Sequence, residues 1–243
     1  MNRILALLYG AVTYLIFVLA FSWAILWTGN LLVPKTIDSG VAGPASLAVV
    51  VDLALLTLFA VQHSVMARSG FKAWWTRFVP PAIERSTYVL LASLVLALLC
   101  WQWRPLPQTV WAVTSPLGAG MLWALFGLGW VTVLGSSFMV SHFDLFGLRQ
   151  VWAYRRTGEV PPPEFRTPLM YKVVRHPLYL GFVIALWATP VMSVGHLLFA
   201  AGATGYIFVG IWFEERDLIA TFGETYTDYR RRVSMLLPLP RRG

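Results

Sequence analysis

Long apolar stretches divide the chain into segments of membrane-spanning length. The first four cover residues 4–27, 46–66, 87–103 and 117–140. A helix needs roughly 20 apolar residues to cross a bilayer, so each stretch predicts one span, although the third is short. The last block, from Pro177 to Phe213, contains 37 residues without an Asp, Glu, Lys or Arg.

That last block is too long for a single crossing. As one helix it would be roughly 55 Å long, whereas the hydrocarbon core is about 30 Å thick. Pro190 and Gly195 mark the place where it turns back. The pattern therefore predicts an all-α integral membrane protein with about six transmembrane helices and a C-terminal cytoplasmic helical tail. Five spans are possible, since the first arm of the hairpin is short unless its helix begins near Tyr171.

Composition agrees with a membrane location. Of the 243 residues, 58% are hydrophobic and 12% are charged, against about 25% charged in a soluble domain. The net charge of +8 does not indicate nucleic-acid binding, because the basic residues lie in short loops, where they act as orientation signals and contact anionic lipids. The single cysteine, Cys100, excludes an internal disulfide.

The distribution of basic residues predicts the orientation. With the N-terminus in the cytoplasm, 17 of the 19 Lys and Arg residues lie on the inner side, and only Lys35 and Arg104 lie outside. Positive residues concentrate on the cytoplasmic side. We therefore expect both termini on the cytoplasmic side of the membrane.

We expect one membrane domain over residues 1–243. Its N-terminal part, 1–140, holds four spans, and its C-terminal part, 141–243, holds the helical hairpin, the tail and a cofactor site. Pro161–Pro163 is a stiff local linker. The oligomeric state is open.

Ionisable residues gather at both ends of the apolar block. Arg175 and His176 precede Pro177, which suits the first turn of a helix. The N-terminus of that helix would favour an anionic group, Tyr179 lies one turn further on, and Gly181 leaves room for a ligand or a helix.

The other end of the block carries two adjacent carboxylates, Glu214 and Glu215. They are costly at the end of an apolar span unless they are solvated or paired. One can pair with Arg175, and the other can face a cationic ligand. The basic, aromatic tail that follows predicts an amphipathic interfacial helix, which we also interpret as a lid.

Further polar groups follow the fourth span. His142, Asp144 and Arg149 alternate with bulky apolar residues, which fits either a functional pocket or an interfacial elbow with an Asp144–Arg149 pair. Inside the spans, Asp52 and His63 fit interhelical hydrogen bonds better than a proton path. No paired-histidine spacing indicates a metal site.

At this point a family resemblance appears. The chain resembles the isoprenylcysteine carboxyl methyltransferase and phospholipid methyltransferase superfamily, which is integral to membranes and uses S-adenosylmethionine. The resemblance rests on Arg175-His176-Pro177-x-Tyr179-x-Gly181, Glu214-Glu215, Phe222-Gly223, Tyr226 and Tyr229. It implies a cofactor site near the cytoplasmic face, formed by Arg175, His176, Tyr179, Gly181, Glu214, Glu215, Tyr226 and Tyr229.

The first 150 residues narrow the resemblance. They are similar to the bacterial methanethiol S-methyltransferases and their NnrU-like relatives. The similarity rests on residues 62–68, Phe71-Lys72, Trp74-Trp75, residues 84–88 and residues 142–150. It implies that methanethiol, a small volatile thiol, is methylated to dimethyl sulfide. It also implies a location in the inner membrane of a bacterium.

One departure separates the chain from the carboxyl methyltransferases. Alignment on Tyr226 places Thr225 where those enzymes have a tail glutamate, and Arg231 where they have an arginine thought to serve the substrate carboxylate. This departure weakens the case for a prenylcysteine substrate.

The implied reaction requires a thiolate, and a free thiol has a pKa of about 8.5. We therefore expect His142, oriented by Asp144, to act as a base and Arg149 or Arg231 to supply a positive field. Three alternatives stay open: a lipid or isoprenylcysteine-type methyltransferase, a membrane reductase with a nicotinamide cofactor, and a non-enzymatic small transporter or subunit.

Overall fold

The computed structural model describes residues 2–160 and 167–238. Outside this part lie the expected linker Pro161–Pro163 and three arginines of the charge count, Arg166, Arg241 and Arg242. The α-helices of the described part are α1 (Arg3–Thr28), α2 (Ala45–Ala67), α3 (Ser69–Trp75), α4 (Pro81–Gln102), α5 (Pro116–Val140), α6 (His142–Leu145), α7 (Leu148–Thr157), α8 (Pro177–Trp187), α9 (Val194–Phe222) and α10 (Glu224–Arg232). A 3-10 turn covers Leu169–Lys172, and two short strands are β1 (Thr109–Ala112) and β2 (Val191–Ser193).

Five helices within the described residues are long and apolar enough to cross a membrane: α1, α2, α4, α5 and α9. The shortest of them, α4, has 22 residues, and at about 1.5 Å per residue it exceeds the thickness of the hydrocarbon core. The expectation of an all-α integral membrane protein is confirmed. The apolar helix α8 has 11 residues and is the short first arm of the hairpin. With α8 counted as a span the chain has six spans, and without it five.

The chain reverses between α8 and α9, as the sequence predicts, and Pro190 lies in this turn. Gly195, the other residue expected there, lies instead in the first turn of α9. The turn also contains a feature that was not predicted, because β2 pairs with β1 as a two-stranded antiparallel sheet. Trp111 Nε1 adds a hydrogen bond of 3.1 Å to the carbonyl of Thr189. The tip of the hairpin is thereby attached to the segment that precedes α5.

The described chain forms two compact units. The first contains residues 2–108 and 142–160, and the second contains residues 109–141 and 167–238. The expected division into parts 1–140 and 141–243 stays a prediction.

In the first unit, α1 packs against α4 and α7. Two polar residues inside its spans form the hydrogen bonds between segments that the sequence favours. The buried Asp52 Oδ1 accepts from the backbone N–H of Arg104 at 2.9 Å. His63 Nε2 lies 2.8 Å from the hydroxyl of Tyr88, so α2 and α4 are joined by a polar contact.

In the second unit, α5 and α8 approach each other closely at Gly181. A Cβ on Gly181 would lie 2.7 Å from the carbonyl oxygen of Gly129 and 2.8 Å from the backbone nitrogen of Val133. Such distances leave no room for a side chain, so this glycine lets two backbones touch. Of the two uses that the sequence allows for Gly181, the structure shows the helix contact.

The break between α9 and α10 depends on Gly223. Its φ of +55° and ψ of −127° form a conformation that residues with a Cβ rarely adopt. The glycine therefore ends the long apolar helix and starts the polar tail helix in a new direction. The predicted tail helix is present as α10.

Candidate active site

The second unit brings together both ends of the apolar block. Arg175 and His176 lie directly before α8, and Glu214 and Glu215 lie in the last third of α9. Because the chain reverses between these helices, residues 40 positions apart come into contact. The sequence predicts that one glutamate pairs with Arg175, and that partner is Glu215.

Glu215 is the centre of a buried polar network. Its Oε1 accepts from Arg175 Nε at 2.8 Å, lies 2.7 Å from Arg175 Nη2 and lies 3.1 Å from His176 Nε2. Its Oε2 lies 3.1 Å from Arg230 Nε. The side chains of Arg175 and Glu215 are 3% and 9% exposed. Two guanidinium groups and an imidazole thus hold this carboxylate, as a buried charge requires.

Arg175 also holds the chain after α10. Its Nη1 donates to the carbonyl oxygens of Arg230, at 3.1 Å, and of Val233. These carbonyls belong to the end of α10, where carbonyl oxygens lack N–H donors within the helix. The backbone continues the contact, because Arg175 N–H donates to Ser234 at 2.8 Å and His176 N–H donates to Met235 at 3.1 Å.

Glu214 is more exposed than Glu215 and has fewer charged partners. Its side chain is 42% exposed. Its Oε2 accepts from the hydroxyl of Tyr179 at 2.8 Å and lies 3.8 Å from His176 Nδ1. The carboxylate is thus held in place but keeps acceptor capacity for another group.

The two tail tyrosines, Tyr226 and Tyr229, lie on the buried face of α10, with ring centroids 5.8 Å apart. The hydroxyl of Tyr229 donates to the carbonyl of Tyr171 at 2.6 Å. Burial raises the pKa of Tyr229 to about 12 and also raises the pKa values of Tyr171 and Tyr226. All three hydroxyls therefore stay protonated near neutral pH.

Arg231 lies on the outer face of α10. Its side chain is 76% exposed, and Nη1 lies 3.3 Å from Asp228 Oδ1. The helix thus presents Arg231 away from the buried tyrosines, whereas the preceding Arg230 reaches Glu215.

The remaining candidates lie in the first unit. His142 is buried at the start of α6, and its Nε2 lies 2.7 Å from the hydroxyl of Tyr14 on α1. Phe146 contributes a ring 4.8 Å from the imidazole. Desolvation by burial lowers the pKa of His142, which favours a neutral ring near pH 7.

Asp144 has partners in the next helix. Its Oδ1 accepts from Gln150 Nε2 at 2.8 Å, and its Oδ2 lies 3.6 Å from Arg149 Nη1. This is the Asp144–Arg149 pair that the sequence allows for an interfacial elbow. The observed partner of His142 Nε2 is Tyr14, so the orienting role of Asp144 stays a prediction.

Sequence reasoning missed several residues of these networks. Tyr14 stands in an apolar span and carries no spacing signal. Arg230 is one of three consecutive arginines, and the local pattern does not distinguish the one that faces the core. Ser234 and Met235 take part through backbone atoms, which leave no signature in side-chain chemistry.

A metal centre finds no support in the described residues, which contain no group of three His, Cys, Asp or Glu side chains able to hold an ion. An organic cation is better matched. The exposed part of Glu214 offers a negative charge beside an aromatic hydroxyl, and the buried Arg175–Glu215 pair makes its surroundings rigid.

Comparison with known proteins gives matches over the whole chain. The chain is 60% identical over 242 residues to the methanethiol S-methyltransferase of Mycobacterium tuberculosis, which covers 100% of this chain and 99% of that protein. It is 55% identical to methanethiol S-methyltransferase 2 of Bradyrhizobium diazoefficiens, over 97% of this chain and 91% of that protein.

A more distant relative comes from an animal. The Nurim homolog of Drosophila pseudoobscura pseudoobscura is 32% identical over 200 residues, which cover 79% of this chain and 77% of that protein. No family model matches the chain, and no solved structure matches it significantly.

Proposed function

Because the chain belongs to the methanethiol S-methyltransferase family, we propose that it methylates methanethiol to dimethyl sulfide with S-adenosylmethionine as the methyl donor. The observation that carries this proposal is the 60% identity to a methanethiol S-methyltransferase along the full chain. The geometry of the second unit supports it, because a partly exposed carboxylate beside a rigid buried network suits a cationic ligand.

The residues around Glu214 fit the proposed cofactor. Glu214, His176 and Tyr179 would hold its positively charged part, and the first-turn N–H groups of α8 would favour its carboxylate. A second group of residues would hold these three side chains in position, since it is already engaged in contacts within the protein: Arg175, Glu215, Tyr226 and Tyr229. When bound, the cofactor supplies a methyl carbon on a positively charged sulfur, and its transfer to a thiolate leaves two neutral thioethers.

The protein itself must supply the thiolate and exclude water. We propose His142 as the group that accepts the thiol proton, with Asp144, Arg149 and Arg231 as the further candidates of the sequence. The buried ring, the lowered pKa and the contact with Tyr14 support this assignment, because a neutral and oriented imidazole can act as a base.

We place the reaction at the cytoplasmic face of a bacterial inner membrane. The charge bias, with 17 of 19 basic residues on one side, supports this orientation. A volatile apolar thiol can reach such a site from the lipid as well as from the cytoplasm.

The test is headspace analysis of the purified protein in detergent with S-adenosylmethionine and methanethiol. We expect dimethyl sulfide to form and S-adenosylhomocysteine to accumulate in equal amounts. Glu214→Gln, with normal folding, should lose most of the activity. Intact cofactor binding without dimethyl sulfide would reject methanethiol as the acceptor, and a prenylated cysteine offered in parallel would then test the main alternative.

A further inference from the structure

The polar segment formed by α6 and α7 lies alongside the N-terminal half of α1. Three contacts fix its register, and they pair Tyr14 with His142, Gly10 with Val151, and Arg3 with Gly158. A Cβ on Gly10 would lie 2.6 Å from the Val151 side chain, so the two helices pack without a gap. The chain therefore enters beside the middle of α1 at His142 and returns along α1 towards its first residue.

The length of α1 gives the depth of this segment in the membrane. After Thr28 the backbone is irregular and carries Lys35, so the hydrocarbon core cannot extend further along the chain. A core about 30 Å thick takes about 20 helical residues and reaches back to about residue 8. Tyr14 lies about six residues beyond that point, which places its contact with His142 about 9 Å inside the core.

The backbone is broken at this depth. Gly147, with a φ of +86°, separates α6 from α7, and side chains occupy the carbonyls that the break leaves open. Gln150 Nε2 donates to the carbonyl of Asp144 at 3.1 Å, and Arg85 Nε donates to that of Leu145 at 2.8 Å. Irregular backbone inside a membrane occurs where protein buries it or where it lines a water-filled cavity.

A partly exposed ion pair accompanies this break. Asp144 follows His142 by one turn residue, and its Oδ2 lies 3.6 Å from Arg149 Nη1. The side chains of Asp144 and Arg149 are 29% and 32% exposed. A charged group exposed to hydrocarbon is costly, and ionisable residues at membrane depth face the interior of the protein or a water-filled cavity. The exposed part of this pair therefore requires water.

Another side of α1 shows how a lipid-facing surface differs at the same depth. Four apolar residues at helical spacing form a stripe along it, and each is more than half exposed: Leu8, Val12, Leu15 and Leu19. Leu15 is the neighbour of Tyr14 in the sequence. The helix thus turns one side to lipid and another to the polar segment.

We propose that a water-filled inlet enters the first unit from the cytoplasmic side and follows α7 to Asp144 and His142. It takes water and small polar solutes, and its direction rests on the orientation proposed above. The inlet gives the proposed base a route by which a proton can leave to bulk water. It also lets a dissolved small thiol enter, in addition to the route through the lipid.

The experiment measures how fast single cysteines react with a charged, membrane-impermeant methanethiosulfonate. Cys100, the only cysteine of the chain, is buried and is replaced by alanine. Asp144→Cys and Arg149→Cys place a thiol in the proposed inlet, and Leu15→Cys places one on the lipid-facing stripe. The full-length variants are studied in vesicles whose cytoplasmic face points outward.

We expect both inlet thiols to react about a hundredfold faster than the thiol of Leu15→Cys, because a charged reagent is excluded from hydrocarbon. In vesicles of the opposite orientation Asp144→Cys should not react. All three thiols should react after unfolding in SDS, which shows that each is present and reduced. Arg149→Cys keeps Asp144 in place, so it carries the test if Asp144→Cys does not fold.

The inlet is wrong if Asp144→Cys, or Arg149→Cys in its place, reacts as slowly as Leu15→Cys. Reaction only from the opposite membrane face would overturn the cytoplasmic opening. The labelling does not depend on methyl transfer, so the two proposals fail separately. A folded wild type that forms no dimethyl sulfide would reject the proposed function and leave the inlet unaffected.

Discussion

Replacing the two adjacent glutamates one at a time should separate stability from ligand binding. Glu215→Gln removes the charge that faces Arg175, His176 and Arg230. Glu214→Gln makes the same chemical change one residue earlier, where the side chain is 42% exposed. The two variants are therefore matched in sequence position, volume and charge.

The expected magnitudes follow from burial. Breaking a buried ion pair by removing one partner costs about 3–5 kcal/mol, because the other charge is left buried. Arg175 keeps two backbone carbonyl acceptors, so we expect about 3 kcal/mol for Glu215→Gln. In a chain of this size 1 kcal/mol shifts the melting temperature by about 2–4 °C, which predicts a loss of about 6–12 °C. Glu214→Gln should cost less than about 1 kcal/mol.

The assay is thermal unfolding of the purified variants in one detergent, followed by the fluorescence of the 12 tryptophans. Binding of S-adenosylhomocysteine is measured well below the melting temperatures. We expect Glu215→Gln to melt early and Glu214→Gln to melt like the wild type but to bind the ligand at least about tenfold more weakly.

The reasoning is refuted if both variants melt like the wild type, since the buried network would then contribute nothing to stability. It is refuted equally if Glu214→Gln is the less stable of the two.

Three further predictions concern the helix contacts and the first unit. Gly181→Ala should destabilise the protein by about 1–3 kcal/mol, because its Cβ would overlap backbone atoms of α5, whereas Gly127→Ala, which meets open space, should melt like the wild type. Asp52→Leu should lower the free energy of unfolding by about 1–3 kcal/mol, because it leaves the N–H of Arg104 without its acceptor. Asp52→Asn keeps an acceptor oxygen, so it should have the stability and the rate of methyl transfer of the wild type. A large loss of rate in the Asn variant would instead indicate a proton path. The pKa of His142 is lowered by burial, so below about pH 6.5 the unfolded chain binds more protons at this residue than the folded chain. The free energy of unfolding therefore falls as the pH falls through this range. The melting temperature of His142→Asn should consequently change less than that of the wild type between about pH 7 and pH 5, and parallel curves would contradict the assignment.

Much of the architecture was predictable because a bilayer restricts what a span can be. Backbone polar groups must be satisfied within the segment, so a long apolar stretch has few options besides a helix. The length of the last apolar block predicted that the chain turns back, and Pro190 marked the place. Ionisable residues at both ends of one hairpin meet when it folds, which is why the pairing of Arg175 with one of the glutamates was foreseeable.

Other parts of the site were not predictable, because the neighbouring residues are chemically alike. The sequence does not distinguish Glu214 from Glu215, because they are adjacent and identical. Only the direction in which each side chain leaves α9 decides which one is buried. The same holds for Arg230 and Arg231, of which one reaches Glu215 and the other is exposed on the outer face of α10.

By itself, then, the sequence determined the helical membrane class, the positions of the long spans, the family and the group of residues at the hairpin ends. These features depend on apolar length and on residue type, which can be read along the chain. Only the tertiary structure decided that β1 attaches to the hairpin tip, that Arg175 donates to carbonyls at the end of α10 and that Tyr14 contacts His142. Each of these depends on backbone atoms or on a single side chain brought in from a distant segment, and no local pattern encodes such a partner.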